Sequence, residues 1–263
     1  MTNSRLTVAL GEYDTGWHDP RASLAAAAKL ARSAAAVGVD VVVLPEMATT
    51  GFTMDTAQAV SIDAPEVDAL RRIASESSVW LIAGVALRDD RGASHAVNAS
   101  LAIDPSGAII AIHRKQRLFA YGGEDRHYQS GTDSTTLDIG GVRLGMFICY
   151  ELRFPELFAA VATEVDAMLV IANWPRSRQQ HWDVLLRARA IENQCYVIGV
   201  NRVGSANGLA YIGGSAAYDP WGERVTAASN ANGTRIVALD AQRVADVRAE
   251  FPFLKDRCVP AVA

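Results

Sequence analysis

Short apolar runs alternate along the chain with amphipathic or alanine-rich segments, and Gly, Pro and Asp clusters separate them. Residues 7–10 are a short apolar run and predict a strand. Residues 22–37 are alanine-rich, interrupted by Lys29 and Arg32 and followed by Gly38, which predicts a helix with a glycine stop. Residues 39–44 (VDVVVL) are β-branched and end at Pro45, the pattern of a buried strand. Residues 65–77 predict a second helix and 79–87 (VWLIAGVAL) another strand. Residues 97–103 and 108–113 flank the turn tetrapeptide DPSG, and 136–139 and 142–148 flank Gly140-Gly141, so each pair predicts a hairpin. A helix then opens on Pro155 and runs to 161. Strands at 167–172 (AMLVIA) and 196–201 (YVIGVN) bracket a helix at 181–194. A third hairpin, 211–218 and 223–227, turns at DPWG. The tail from about residue 241 ends in a short helix and Phe251-Pro252-Phe253.

Strands outnumber helices, yet several helices adjoin strands of the parallel, fully buried type. This mixture predicts an α/β protein with helices covering the outer faces of two sheets. With no Ser/Gly linker and no charge block, residues 1–263 read as a single domain. One internal echo stands out. A helix followed by VDVVVLPE resembles a helix followed by VDAMLVIANWP, as in two similar halves of one sandwich.

Composition narrows the function classes. Half of the residues are apolar, ample for a large core. The 25 basic and 29 acidic residues leave a net charge of −4, and no Lys/Arg run exceeds two, which argues against nucleic acid or an anionic membrane as partner. Three cysteines make no disulfide framework and fit a reducing compartment. The apolar run at residues 6–10 is too short for a signal peptide, and no apolar stretch reaches membrane-spanning length. The expected setting is cytoplasmic. Metal-ligand spacing and a dinucleotide fingerprint are both missing, and the Gly-rich VGSANG lacks the Lys-Ser/Thr of a phosphate loop, so neither metal nor cofactor is expected.

Four residues stand where chemistry collects. Cys149 ends the apolar strand VRLGMFI just before a helix start, where a nucleophile is exposed on a fixed backbone and free N–H groups favour thiolate. Read alone, a buried core cysteine is the plainer reading, since that is the usual fate of the residue. Glu46 ends a buried strand, where α/β sites gather; a salt-bridged loop residue is the plainer reading. Lys115 follows the strand AIIAIHR and, read alone, is a solvated surface charge. Glu124 lies in the aromatic, Gly-rich loop FAYGGEDRHYQSG and, read alone, is a solvated loop charge. His113, His127 and His181 have no context that pairs them with a cysteine and read as structural. Cys195 reads as core and Cys258 as incidental.

Together, Glu46 in LPEM, Lys115 in HRKQRLF and Cys149 in CYELRFPE resemble the Glu-Lys-Cys triad of the nitrilase superfamily of carbon–nitrogen hydrolases. The order and spacing match compact members, and the likeness runs from about residue 6 to about residue 257. One departure is Glu151, where the family usually carries Asp. ANWPRSRQQHW, RARAIENQCYVIGVNRVG and GEDRHYQSG look most like bacterial ω-amidases, which hydrolyse the terminal amide of 2-oxoglutaramate and 2-oxosuccinamate. The resemblance implies a four-layer α-β-β-α sandwich that pairs as a homodimer through helices beside the site. It implies Cys149 as nucleophile, Glu46 as general base and acid, and Lys115 with the Tyr150 N–H as oxyanion donors. Glu124 would position the amide and Lys115. For the carboxylate of an ω-amide, Arg178 is the first candidate, with Arg153 and Arg176 behind it. Trp174, Phe119 and Tyr121 are candidate pocket walls. The alternatives are another small-amide hydrolase (a deaminated-glutathione amidase, an N-carbamoyl hydrolase or an aliphatic amidase) and a non-catalytic binding scaffold. An intact triad argues against the scaffold.

Overall fold

The structure, a computed structural model, describes residues 4–88, 96–225, 228–229 and 234–257. The first half runs β1 (Arg5–Leu10), α1 (Pro20–Ala35), β2 (Val41–Val43), α2 (Pro65–Ser77), β3 (Trp80–Arg88), β4 (Ala96–Ile103) and β5 (Ile109–Arg114). Strands β1, β2 and β3 are parallel neighbours joined by the helical crossovers; β4 and β5 add on antiparallel. The second half repeats the scheme. A hairpin of β6 (Thr135–Ile139) and β7 (Val142–Ile148) leads through α3 (Pro155–Val161) to β8 (Ala167–Ala172). Then α4 (Gln179–Asn193) leads to β9 (Tyr196–Asn201), and β7, β8 and β9 are parallel.

A small ribbon, β10 (Val203–Ala206) and β11 (Leu209–Ile212), stands apart from both sheets. β12 (Ala216–Tyr218) then pairs with β9 and with β13 (Arg224–Val225). Finally β14 (Ala228–Ser229) and β15 (Arg235–Asp240) return to the first sheet, where β15 pairs antiparallel with β1, and α5 (Ala241–Glu250) follows. The sheets have seven and six strands. The sequence echo is explained: β2 and β8 are the middle strands of the two parallel trios.

The layers follow from side-chain alternation. Val41 and Val43 face the second sheet together with Val8, Leu10 and Ile82, against Leu144, Met146 and Ile171. Val42 and Leu44 face the other way, under the small buried face of α1 (Ala27, Ala31, Ala34) and under Val67 and Leu70 of α2. Phe158 of α3 and Trp182 and Leu186 of α4 cover the far side of the second sheet. A β-branched run without polar alternation needs both faces covered, and this stacking covers them. The result is the expected α-β-β-α sandwich. Among the described residues, no helix is long and apolar enough to cross a membrane.

Two expectations need correction. The segment 211–218 is not one strand. Gly213 and Gly214 stand at φ 69° and 77°, in the left-handed region that breaks a strand, so β11 pairs with β10 and β12 with β9. The far end of that predicted hairpin, residue 227, lies outside the described residues. Strand β15 was also not expected, because RIVALD is short and stands just before the tail. Its pairing with β1 is long-range and extends that side of the first sheet, with β14 outside it at the edge.

Candidate active site

The C-terminal ends of β2, β5, β7 and β8 meet in one place. Glu46 follows β2, and its segment lies directly on β3. A Cβ at Gly84 would stand 2.5 Å from the Glu46 Cα and from the Met47 N, so only glycine admits this approach. The Ala48 N–H donates to the Gly84 carbonyl at 2.8 Å and fixes the segment there.

Lys115 follows β5 and is fully buried, not solvated as its type suggests. Its Nζ donates to Glu46 Oε1 at 2.8 Å and to Glu124 Oε2 at 2.9 Å, and lies 5.3 Å from the centre of the Phe52 ring. Glu124 is likewise fully buried, and its Oε2 accepts the Phe119 N–H at 2.6 Å. Glu46 Oε2 accepts the Asn173 N–H at 2.9 Å, while Asn173 Nδ2 donates to the Glu46 carbonyl at 2.6 Å. Asn173 follows β8, so the exits of the two echoed strands are bonded to each other. Asn98, on β4, donates from Nδ2 to both Glu46 and Glu124. Two carboxylates therefore share one ammonium and one amide. Burial works against the Lys115 charge, but Glu124 and Glu46 outweigh it and hold the ammonium above the usual lysine range.

Cys149 follows β7 at φ 47°, on a five-residue 3-10 turn that spans Cys149–Arg153. A non-glycine residue in this region is strained, and here the strained residue carries the thiol whose charge environment Glu46 and Lys115 set. The thiolate expected from a helix start is not favoured. Burial first and the Glu46 charge second push the thiol well above its ordinary range, with Lys115 pulling the other way. The physical reason is that α3 begins only at Pro155, while Lys115 is already shared by two carboxylates.

Glu151, the departure from the family motif, is fully buried. It accepts the Ile148 N–H and the Gln116 N–H, each at 2.6 Å, and meets His113 Nε2 at 3.0 Å. One carboxylate therefore ties the backbone beside Lys115 to the backbone before Cys149.

Cys149 opens onto a cleft. Phe52, Phe119, Trp174 and Tyr211 wall it, Tyr150 and Asn173 flank the thiol, and Leu209 stands at 43% exposure on its rim. The charged lining side chains are Arg153 and Arg178. Arg153 lies over Trp174 and bonds His181 Nδ1 at 3.1 Å; Arg178 lies over Phe119. Neither pairs with a carboxylate among the described residues. Trp174 is both wall and anchor, since its Nε1–H donates to the Arg178 carbonyl at 2.8 Å.

Tyr121 is not a wall: it is 90% exposed and packs against Phe119 without lining the cleft. Arg176 is exposed and does not line the cleft. Cys195 is buried core, its thiol pushed up to about 12 by burial. Cys258 lies outside the described residues. Sequence reading missed Asn98, Asn173, Phe52, Leu209 and Tyr211. A lone Asn inside the apolar AVNASLAI was a usable signal for Asn98, since a buried amide demands a partner. The cleft-lining residues carried none, because Phe52 comes from a loop and Leu209 and Tyr211 from a ribbon outside both sheets, and only the tertiary fold brings them there.

The comparisons with known proteins agree. The family model described as carbon-nitrogen hydrolase matches residues 7–249, a span that contains every catalytic candidate above. The chain is 38% identical over 221 residues to the ω-amidase YafV of Escherichia coli K12, covering 83% of this chain and 84% of that one. It is 34% identical over 221 residues to the 2-oxoglutaramate amidase of Bacillus subtilis 168, covering 82% and 84%. Among solved structures, XC1258 from Xanthomonas campestris, a CN-hydrolase superfamily protein, matches with a TM-score of 0.90 at 32% identity, over 98% of this chain and 99% of that one. On sandwich, strand-end cluster and sequence alike, this chain belongs to the carbon–nitrogen hydrolase family.

Proposed function

We propose that this enzyme is a cysteine-dependent amidase that releases ammonia from the terminal amide of small 2-oxo acids, such as 2-oxoglutaramate and 2-oxosuccinamate. The observation that carries the reading is the cleft in front of Cys149, whose charged walls are two guanidiniums without an acidic partner among the described residues. A substrate with a carboxylate beyond its amide supplies the missing charge, whereas burying that carboxylate without a cation is costly. Arg178, whose side chain stacks on Phe119 and makes no hydrogen bond or ion pair among the described residues, is the proposed carboxylate holder. The relatives named ω-amidase and 2-oxoglutaramate amidase support the same substrate class.

The residues suit the following chemistry. Cys149 Sγ adds to the amide carbon while Glu46 takes the thiol proton. The carbonyl electrons move onto oxygen, which accepts from Lys115 Nζ and from the Tyr150 N–H, one of the first N–H groups of its turn. Glu124 holds the ammonium and orients the amide NH₂. When the C–N bond breaks, Glu46 gives its proton to the leaving nitrogen, and ammonia departs from a thioester. Glu46 next takes a proton from water, whose oxygen adds to the thioester carbon. The C–S bond breaks and the proton returns to sulfur. The proposal includes a homodimer in a reducing, cytoplasmic setting, with the whole chain as one catalytic domain. In the single chain, α4 leaves Val184 and Ile191 exposed at 60% and 50%.

Ammonia release from 2-oxoglutaramate and from propionamide, on wild type and on Arg178→Ala, tests the substrate class. Wild type should prefer 2-oxoglutaramate. The variant should lose about 2–5 kcal/mol on that substrate, roughly thirty-fold or more in kcat/KM, and little on propionamide. Equal losses on both substrates would make Arg178 structural. A wild type that prefers propionamide would overturn the ω-amide reading.

A further inference from the structure

Among the described residues, Asn98 is the one side-chain amide that touches both Glu46 and Glu124. Its Nδ2 donates to Glu46 Oε1 at 2.7 Å and to Glu124 Oε1 at 2.7 Å, so both of its hydrogens are used. Only this orientation of the amide places donors on two acceptors. Its side-chain oxygen Oδ1 is buried and finds no partner among the described residues. An unpaired buried carbonyl is unfavourable, and the neighbouring strand positions Val97 and Ala99 are apolar and fully at home. The residue is therefore explained by its NH₂ side alone.

We propose that Asn98 is a positioning residue that keeps Glu46 and Glu124 ionised side by side, so that Glu46 is free to accept a proton. Lys115 alone faces two negative charges. A second donor between the two Oε1 atoms offsets their repulsion without adding a cation, which would compete for the oxyanion. The backbone supports this placement: the Lys115 N–H donates to the Asn98 carbonyl at 2.9 Å, so both donors come from paired positions on adjacent strands. The titratable groups around Glu46 are Lys115 at the end of β5, Glu124, the Cys149 thiol, Tyr128 and, from β11, Tyr211. Lys115 is the cation among them. Burial raises both phenols above their ordinary range, so they stay neutral where the carboxylates titrate.

The inference rests on the proposed role of Glu46 and is independent of which amide is the substrate. The test is kcat/KM against pH for wild type, Asn98→Leu and Asn98→Ser, with 2-oxoglutaramate and propionamide run in parallel. This parameter reports groups of the free enzyme, so one acid limb should serve both amides. Removing a donor favours the protonated carboxyl, so the limb should move to higher pH, by about one pH unit or more in Asn98→Leu. Asn98→Ser keeps a single donor and should shift it in the same direction by less. A lower plateau with an unmoved limb would make Asn98 purely structural and overturn the proposal, as would wild-type behaviour at every pH. If Asn98→Leu does not fold, the limb of Asn98→Ser decides alone. Failure of the ω-amide reading would show instead as a changed preference between the amides, with the limb shift intact.

Discussion

Cys149 is held at φ 47° under the opposing charges of Glu46 and Lys115, and these neighbours decide what each substitution does. Cys149→Ala should fold and release no ammonia, while Cys195→Ala and Cys258→Ser keep most activity; normal turnover by Cys149→Ala would end its assignment as nucleophile. Glu46→Gln should act in opposite directions on two measurements. It removes the negative charge that raises the thiol, so iodoacetamide should alkylate Cys149 faster at neutral pH. Amide turnover should nevertheless collapse, because the base is gone. Slower alkylation in that variant would contradict the charge balance described here. In wild type, alkylation should keep rising above pH 9, since burial and Glu46 both hold the proton. Lys115→Met should lose hydrolysis by about 10²–10³, the usual effect of deleting an oxyanion donor. It should also lose stability, by about 3–5 kcal/mol, because two buried carboxylates are left facing each other. The sign follows from the raised lysine: its contribution is complete at neutral pH and fades only as pH climbs through its folded value, above the ordinary lysine range. Urea unfolding at pH 7 reads this directly.

At the scale of elements, the site depends on backbone segments that must approach within narrow limits. Gly84→Ala would put a methyl 2.5 Å from the Glu46 backbone. It should cost about 1–3 kcal/mol by overpacking and displace the base, so thermal midpoint and kcat should fall together. Glu151→Ala would strip the acceptor from two buried N–H groups, one beside each catalytic strand end, at about 1–3 kcal/mol for each group left unpaired. A Glu151→Ala enzyme with wild-type kcat would show that the tie between the two strand ends is dispensable. Most elements were legible because their signals are local. The helix at Pro65–Ser77 and the hairpins around DPSG and Gly140-Gly141 needed only periodicity and turn residues. The ribbon of β10 and β11 was legible too, through its Asn207-Gly208 turn, but the reading stopped at the missing phosphate-loop lysine.

At the scale of the molecule, the last strand of the chain secures the first. β15 pairs with β1 along its full length, so the first sheet cannot be completed until residues 235–240 are present. A chain ending at residue 234 should leave β1 as a bare edge and collect in the insoluble fraction; a soluble, active product would show that the pairing is not needed for folding. Pairing of this kind was not legible, because six residues with ordinary composition announce a strand only weakly and say nothing about a partner more than two hundred positions away.

The amino-acid sequence alone determined the alternation of buried strands and helices and the layered class, and through its resemblance to a family it pointed to Glu46, Lys115, Glu124 and Cys149 as candidates. Those readings rest on local pattern and on residue types in fixed short contexts, which survive without coordinates. Only the tertiary structure decided that Lys115 and Glu124 are buried rather than solvated, that burial and Glu46 push the thiol upward, that Asn98 bridges two carboxylates, and that Arg178 lines the cleft while Arg176 and Tyr121 do not. Each of those outcomes depends on which groups from distant segments come within a few ångströms and on how much water they exclude. Charge balance and desolvation are properties of that shared volume, and no single segment of the chain contains them.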